Sequence, residues 1–409
     1  MYSLDILGRL RTERLRGKAV SGTVWCLGFT SLLTDISSEM VSSILPVYFL
    51  TQLGLSPLQF GFVDGLYQGV TALSRLMSGF IADRWRKHKE TALLGYALSA
   101  FCKPVFLWVG NAWAPLAALI AIDRTGKGIR TAPRDALISL HSDRENLGAS
   151  FGVHRALDTV GAVLGPATAF LILTKAPAAY DAVFVVSFCV ALLGLGVLAL
   201  FVENRTGRAG SETAGAVSLK AAALLVKEKR FRRLLLFGGL LSLATLSDSF
   251  IYLGIQQHMH IPTRFFPMLY LGTSFFYVLF SIPLGYLADR TSRTAVFLGG
   301  HAVLLLVYTT PFLRHLGAAP LFVYLALFGV YYAATDGVLM ALTADALPPH
   351  LCASGMALLS TLINLARLLS SVAAGWLWSR GAPMTSVVFL IALTLCLGFS
   401  AVGLGYKRS

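Results

Sequence analysis

Long apolar runs recur down the whole chain, each near the length that crosses a bilayer. A transmembrane helix takes about 20 mainly apolar residues. Candidate spans fall at 22–50, 58–81, 91–110, 113–138, 148–174, 178–202, 233–257, 266–287, 295–313, 319–345, 353–379 and 384–405. Short polar breaks separate them. Only 13% of the residues are charged and 56% are hydrophobic. So few charges could not cover the surfaces of the two or three soluble domains that 409 residues would allow. Disorder is excluded too, because it needs low hydrophobicity and high charge. Cys26, Cys102, Cys189, Cys352 and Cys396 lie scattered in apolar runs, with no CxxC pair, and read as small core residues. The expected fold is an all-α polytopic membrane protein.

The formal net charge of +14 would suggest nucleic acid in a soluble protein. Here its distribution points to topology. With the N-terminus placed inside, the inside segments hold about 22 Lys and Arg and the outside loops about four, Lys175, Arg264, Arg314 and Arg380. Both termini are therefore expected in the cytoplasm of a multi-pass protein of the plasma (bacterial inner) membrane. The polar head with Arg9, Arg11, Arg14, Arg16 and Lys18 precedes a long first span interrupted by Asp35 and Glu39. That reads as a retained helix, since a cleavable signal has a shorter apolar core and a small-residue cleavage site.

The segment from Glu203 to Arg233 is the longest polar stretch, and it divides the chain into two sets of six spans. The expected domains are a six-helix bundle at 1–202, a cytoplasmic linker at 203–232 and a second bundle at 233–409. Two such repeats pack about an axis normal to the membrane. The halves echo each other in sequence. Gly79-Phe-Ile-Ala-Asp83-Arg84 ends the second span, and Gly285-Tyr-Leu-Ala-Asp289-Arg290 ends the eighth. Asp135-Ala-Leu follows the fourth-span landmark Ala132-Pro-Arg, and Asp345-Ala-Leu stands at the equivalent end of the tenth.

These landmarks resemble the major facilitator superfamily, whose loop motif runs Gly-x-x-x-Asp-Arg/Lys-x-Gly-Arg-Arg/Lys. Here it is Gly79-x-x-x-Asp83-Arg84-Trp85-Arg86-Lys87-His88-Lys89, with Arg86 in place of the second glycine. Arg124-Thr-Gly-Lys-Gly128 is similar to the helix 4 element. Gly161-Ala-Val-Leu-Gly165-Pro166-Ala-Thr-Ala169 is similar to the helix 5 motif of the antiporter branch, with alanine at its last glycine. The resemblance covers the whole chain. It implies about 12 helices in two six-helix repeats, alternating access, and proton antiport of the drug and metabolite efflux kind. A carboxylate at a helix end beside a cationic loop can latch one conformer. Gly79, Asp83, Arg84, Asp135, Gly285, Asp289, Arg290 and Asp345 are the expected latch, and Gly161, Gly165 and Pro166 are expected to bend the fifth helix and let it pack closely.

Ionisable residues inside spans mark sites, because a charge near the bilayer centre costs about 2.5–3.5 kcal/mol on insertion scales. In the fourth span, at about 100° per residue, Asp123, Lys127, Arg130 and Arg134 fall at roughly 0°, 40°, −20° and 20°. One narrow stripe facing a cavity or a partner helix follows. Asp35 and Glu39 share a face of the first span, His154 and Asp158 a face of the fifth, with Arg155 beside them. Proton-coupling candidates are Asp35, Glu39, Asp123, His154 and Asp158. Substrate-binding candidates are Arg124, Lys127, Arg130, Arg155, Asp248, Asp336 and Arg367. Pairing of Asp35 and Glu39 with fourth-span cations, and of Arg155 with Asp158, is the structural alternative. His258-Met259-His260 has ligand types for copper or zinc, but the spacing matches no rigid site. Tyr67, Phe250, Tyr252, Phe275, Phe276, Tyr277, Tyr331 and Tyr332 could line a cavity; most are expected to pack.

No nucleotide-binding motif is present, so an ion gradient is the expected energy source. The expected function is a secondary transporter exporting a small organic anion or amphiphile by proton antiport, with proton-coupled uptake of an organic anion as the alternative. A receptor or membrane enzyme is a distant third, lacking a sizeable soluble domain and any nucleophile–base or His-Glu-x-x-His pattern. The expected partners are a small-molecule substrate, protons and the lipid bilayer, with no nucleic acid, no cofactor, no metal and no catalytic residue; a monomer is expected to suffice.

Overall fold

A computed structural model describes residues 20–85, 87–143, 146–203, 225–309, 318–348 and 352–405. Among these residues the fold is all helix, in twelve main segments. They are α1 (Gly22–Ser42), α2 (Pro57–Trp85), α3 (His88–Val109), α4 (Trp113–Leu140), α5 (Leu147–Lys175), α6 (Tyr180–Phe201), α7, α8 (Phe266–Arg290), α9 (Arg293–Tyr308), α10 (Ala318–Ala346), α11 (Cys352–Trp378) and α12 (Ala382–Gly405). The seventh is split into α7a (Lys229–Leu243) and α7b (Asp248–His258). Eight of the helices are long and apolar enough to cross a membrane. The helices α1 and α4 carry acids, bases and hydroxyls, some of which face each other, and α9 is short at 16 residues.

Two spans expected to be continuous are not. The helix α1 ends at Ser42, and Pro46 sits in a short turn before a π-helical segment, Tyr48–Gln52. Proline removes a backbone donor and clashes with the preceding turn. The break between α7a and α7b contains no proline or glycine. Its backbone groups find partners outside the helix, as any chain buried in lipid requires. Leu246 N–H donates to the Tyr308 hydroxyl at 2.6 Å, and Ser370 Oγ donates to the Thr245 carbonyl at 2.5 Å.

Glycines set the closest helix crossings. A Cβ on Gly95 of α3 would meet the Gly126 carbonyl of α4 at 2.7 Å, and one on Gly375 of α11 would run into the Pro57 carbonyl of α2. In the first half α1 packs on α5 and α6, and α4 on α2 and α3. In the second, α10 packs on α8 and α9, and α11 on α7a. Across the halves, α2 lies along α11 and α5 along α8.

The face from which 203–232 leaves α6 and enters α7a is here the linker face; the opposite one is the far face. The halves are sealed at the far face. There Phe60 meets Phe250 with ring centres 5.2 Å apart, and Phe170 meets Phe265 at 5.5 Å. A buried aromatic cluster of Tyr48, Phe49, Phe106 and Phe184 backs this seal. Toward the linker face, Lys127 and Glu39 are about a third exposed and Asp336 is exposed, although all lie deep in the sequence of their helices. A cleft between the halves, reached from the linker face, accounts for this pattern.

Candidate functional site

The cleft wall of the first half is built by α1 and α4. Asp35 and Glu39, one turn apart, each face a different α4 cation. Arg130 Nη2 lies 3.7 Å from Asp35 Oδ1, and Lys127 Nζ lies 4.0 Å from Glu39 Oε1. The Arg130 guanidinium also sits over the Tyr96 ring at 4.5 Å, and its Nη1 is buried without a hydrogen-bond partner. Glu39 accepts a further bond from Ser42 Oγ at 2.7 Å.

The fourth-span stripe therefore divides. Lys127 and Arg130 address α1, whereas Asp123 pairs with its neighbour Arg124. Asp123 also accepts from Ser99 Oγ at 2.6 Å, and Arg124 lies 3.8 Å over the Tyr67 ring. Arg134 pairs with the adjacent Asp135 at 2.9 Å and reaches Ser31 Oγ at 3.4 Å. The same Ser31 hydroxyl meets His154 Nε2 at 2.9 Å, and His154 Nδ1 lies 3.7 Å from Asp158. Arg155 is exposed on α5, within electrostatic reach of Tyr277 on α8. Of the two arrangements expected around Asp158, the structure has His154 beside it rather than a close Arg155–Asp158 pair.

In the second half, Asp248 opens α7b and accepts from the Tyr332 hydroxyl at 2.5 Å. Arg367 of α11 lies within electrostatic reach of Asp248, Asp336, Tyr331 and Tyr332, with its Nε buried and unpartnered. Phe250, Tyr252 and Tyr331 are core residues, Phe275 points outward, and Tyr67, Tyr277 and Tyr332 are part-exposed. Tyr277, Gly337 and Asp289 line a cavity of about 260 Å³ between α8 and α10.

At the linker face, Arg293 Nη1 donates to Asp345 at 2.5 Å and Arg293 Nη2 to Asp289 at 2.6 Å, so one arginine ties the ends of α8, α9 and α10 together. Arg290 donates instead to Tyr286. The α2 backbone continues through Gly79, Asp83 and Arg84, whose side chains lie outside the described residues. Gly161 and Gly165 bring α5 onto α1: a Cβ on Gly161 would meet the Leu32 carbonyl at 2.7 Å, and one on Gly165 the Glu39 Cβ at 2.7 Å. Pro166 lies buried within α5. His258 ends α7b, and among the described residues no three His, Cys, Asp or Glu side chains gather as a metal group.

Two buried charges stand outside the sequence-derived candidates. Lys103, 2% exposed, donates to the Ser99 carbonyl at 3.0 Å beside Asp123. Asp64 of α2 accepts from Ser247 and Ser249 of the other half at 2.5 and 2.7 Å, and from Ser371. Both lie inside predicted spans, so the rule that ionisable residues within spans mark sites applies to them equally.

The profile of the Major Facilitator Superfamily matches residues 27–273 and again 235–408. An uncharacterized MFS-type transporter of Methanocaldococcus jannaschii is 31% identical over 397 residues, which cover 95% of this chain and 97% of that protein. An uncharacterized protein of Mycobacterium tuberculosis is 36% identical over 145 residues, 36% of this chain and 35% of its own. Among solved structures, the nucleoside transporter NupG superposes with a TM-score of 0.78 at 14% identity, covering 95% of this chain and all of that one. A bacterial homolog of the human lysosomal transporter Spinster, inward-facing and occupied, superposes at 0.72 with 13% identity over 94% and 96%. The profile spans both halves and the archaeal relative spans nearly the whole of both chains; the chain belongs to the major facilitator superfamily and is a multi-pass membrane transporter, not an enzyme.

Proposed function

We propose that the protein is a proton-coupled antiporter that exports a small organic anion or amphiphile by alternating access. Its two six-helix units, 1–202 and 233–409, would rock about the central site, with 203–232 and both termini in the cytoplasm. The linker face is then cytoplasmic, in keeping with its excess of Lys and Arg. One observation carries the reading. The interior of the first half sets Lys103, Arg124, Lys127 and Arg130 against Asp35, Glu39 and Asp123, and two of these pairs open on the cleft. One cation is in excess, which favours a ligand with a carboxylate or phosphate group. The carboxylates within the bilayer depth supply places for a proton. The tight α5–α1 crossing at Gly161 and Gly165 puts the antiporter-like motif directly behind Asp35 and Glu39. In this reading Asp289, Arg293 and Asp345 brace the cytoplasmic ends of one half.

A second reading is favoured by the Lys127–Glu39 pair. An anion that takes Lys127 leaves Glu39 without its cation, and a proton would then bind along with the anion. That coupling moves both in one direction and gives uptake. Flux measurements decide. In proteoliposomes tested with a panel of organic anions, an inward proton gradient should drive export for antiport and import for the second reading. Undiminished flux after collapse of both pH gradient and membrane potential, with sodium absent, would remove proton coupling altogether.

A further inference from the structure

Asp64 is a carboxylate set at the seam between the halves. It is 9% exposed and belongs to α2. All three of its hydrogen-bond donors belong to the second half: Ser247 and Ser249 flank the start of α7b, and Ser371 lies on α11. The seam around it is tight, since a Cβ on Gly61, one turn before, would meet the Ser371 carbonyl at 2.5 Å. Among the described residues Asp64 makes no ion pair. Another carboxylate, Asp248, stands between the two serines in the sequence, turns to Tyr332 and lies within electrostatic reach of Asp64.

The groups facing this seam are few. The segment α7b brings Asp248 and Tyr252, α8 brings Tyr270, whose hydroxyl is 3.5 Å from Ser249 Oγ, and α10 brings Tyr332. The helix α11 brings Arg367, which acts on Asp248 and also on Asp336. On α4, Arg124 is taken by Asp123 and stacked on Tyr67. Among the described residues two carboxylates thus stand at the start of α7b, and the one guanidinium near them is shared with a third. The N-terminus of α7b and three hydroxyls offset part of this negative charge. Hydroxyls serve as donors or acceptors, so the same geometry suits an ionised or a protonated Asp64.

We propose that Asp64 is a proton-binding site of the far gate: one proton, shared within the Asp64–Asp248 group, binds as the halves close over the far face and leaves as they part there. Closing strips water from a carboxylate that gains no cation, and opening returns the water. The far-side proton concentration would then set how long the gate stays shut. This deepens the proton-coupled reading above and rests on it.

The test needs no substrate. In a cysteine-free background, spin labels at Asn111→Cys and Ser379→Cys report far-face opening by double electron–electron resonance. Between pH 5.5 and 8, the wild-type ratio of far-open to far-closed molecules should rise with pH by up to about tenfold per unit, the limit for one linked proton. Asp64→Asn, a stand-in for the protonated acid, should hold the far face closed and move less than about twofold over that range. A variant that opens the far face at every pH would make Asp64 a permanently ionised clasp and overturn the proposal. So would a variant that keeps the wild-type pH response. The wild type provides a test without any variant, because a ratio independent of pH is fatal by itself. Proton-driven flux can be lost while this pH response persists, and the reverse can also occur, so the two readings fail separately.

Discussion

The first half pairs the charges of α1 and α4, and the second keeps its cleft charges apart. Arg130 with Asp35, Lys127 with Glu39 and Arg124 with Asp123 are three ion pairs on two helices. Arg367 lies within electrostatic reach of both Asp248 and Asp336, yet among the described residues none of the three forms an ion pair. A ligand that seeks a paired cation must displace a carboxylate. A ligand that approaches Arg367 meets a guanidinium with an unpartnered Nε, ringed by Tyr331 and Tyr332. In the proposed reading, the excess first-half cation draws an anionic group into the cleft, Arg367 with its unpartnered Nε anchors it, and the paired first-half carboxylates exchange protons.

The largest expected effect is on stability and lies in the first half. Arg130 is 3% exposed, and removing one member of a buried pair leaves the other charge uncompensated. Arg130→Gln should cost about 3 kcal/mol, the low end of the range for buried pairs because Asp35 is a fifth exposed. Adding Asp35→Asn should restore more than half of the loss in thermal unfolding. No recovery in the double variant would mean that the pair is not the source of the cost.

Arg367→Gln should act the other way, on binding more than on folding. Loss of a charge-assisted hydrogen bond costs about 1.5–3 kcal/mol, or roughly tenfold to over a hundredfold in affinity. The half-saturation concentration of the transported anion should rise by that order while the melting temperature stays well above that of Arg130→Gln. Equal affinity losses at Arg367 and Lys127 would erase the contrast between the halves.

A third comparison uses glycines. Gly165→Ala would drive a methyl group against the Glu39 Cβ, the Ile36 carbonyl and the Met40 nitrogen, all within 2.9 Å. Overpacking of this kind costs about 1–3 kcal/mol. Gly285→Ala meets nothing within 4 Å and should leave the melting temperature unchanged. If both are tolerated alike, the α5–α1 crossing is looser than its distances imply.

Much of this was legible in the residues, and the misses have physical causes. Apolar run length located the twelve main helical segments, eight of them long and apolar enough to cross a membrane, because the bilayer fixes that length. The repeated Gly-x-x-x-Asp-Arg ends of the second and eighth spans marked the duplication. The break in α7 was not foreseen, since its free backbone groups are met by Tyr308 and Ser370 from distant helices. A local sign was nonetheless present: Ser247-Asp248-Ser249 is a helix-start pattern inside an apolar run. A helical wheel placed Asp123 on a face with Lys127 and Arg130 but could not choose its partner, and the adjacent Arg124 proved nearer. Pairing of Asp35 and Glu39 with α4 cations was an anticipated alternative, because two acids and several bases in low dielectric have few other partners.

The smallest effect on stability, and the finest test of the contrast, is at Lys127. Its pair with Glu39 spans 4.0 Å with both side chains about 30% exposed, so water already screens it. Such a pair contributes about 0–1 kcal/mol to folding, and Lys127→Gln should scarcely move the melting temperature. Its effect on transport separates two roles for the lysine. If Lys127 holds the substrate anion, affinity falls at least tenfold, and adding Glu39→Gln does not restore it. If Lys127 instead only pairs with Glu39, affinity is kept in Lys127→Gln, and adding Glu39→Gln leaves it unchanged. Affinity and melting temperature measured on the two single variants and the double variant tell these apart. A tenfold affinity loss confined to Lys127 variants would move the anion site back to the first half and leave Arg367 as a structural partner of Asp248.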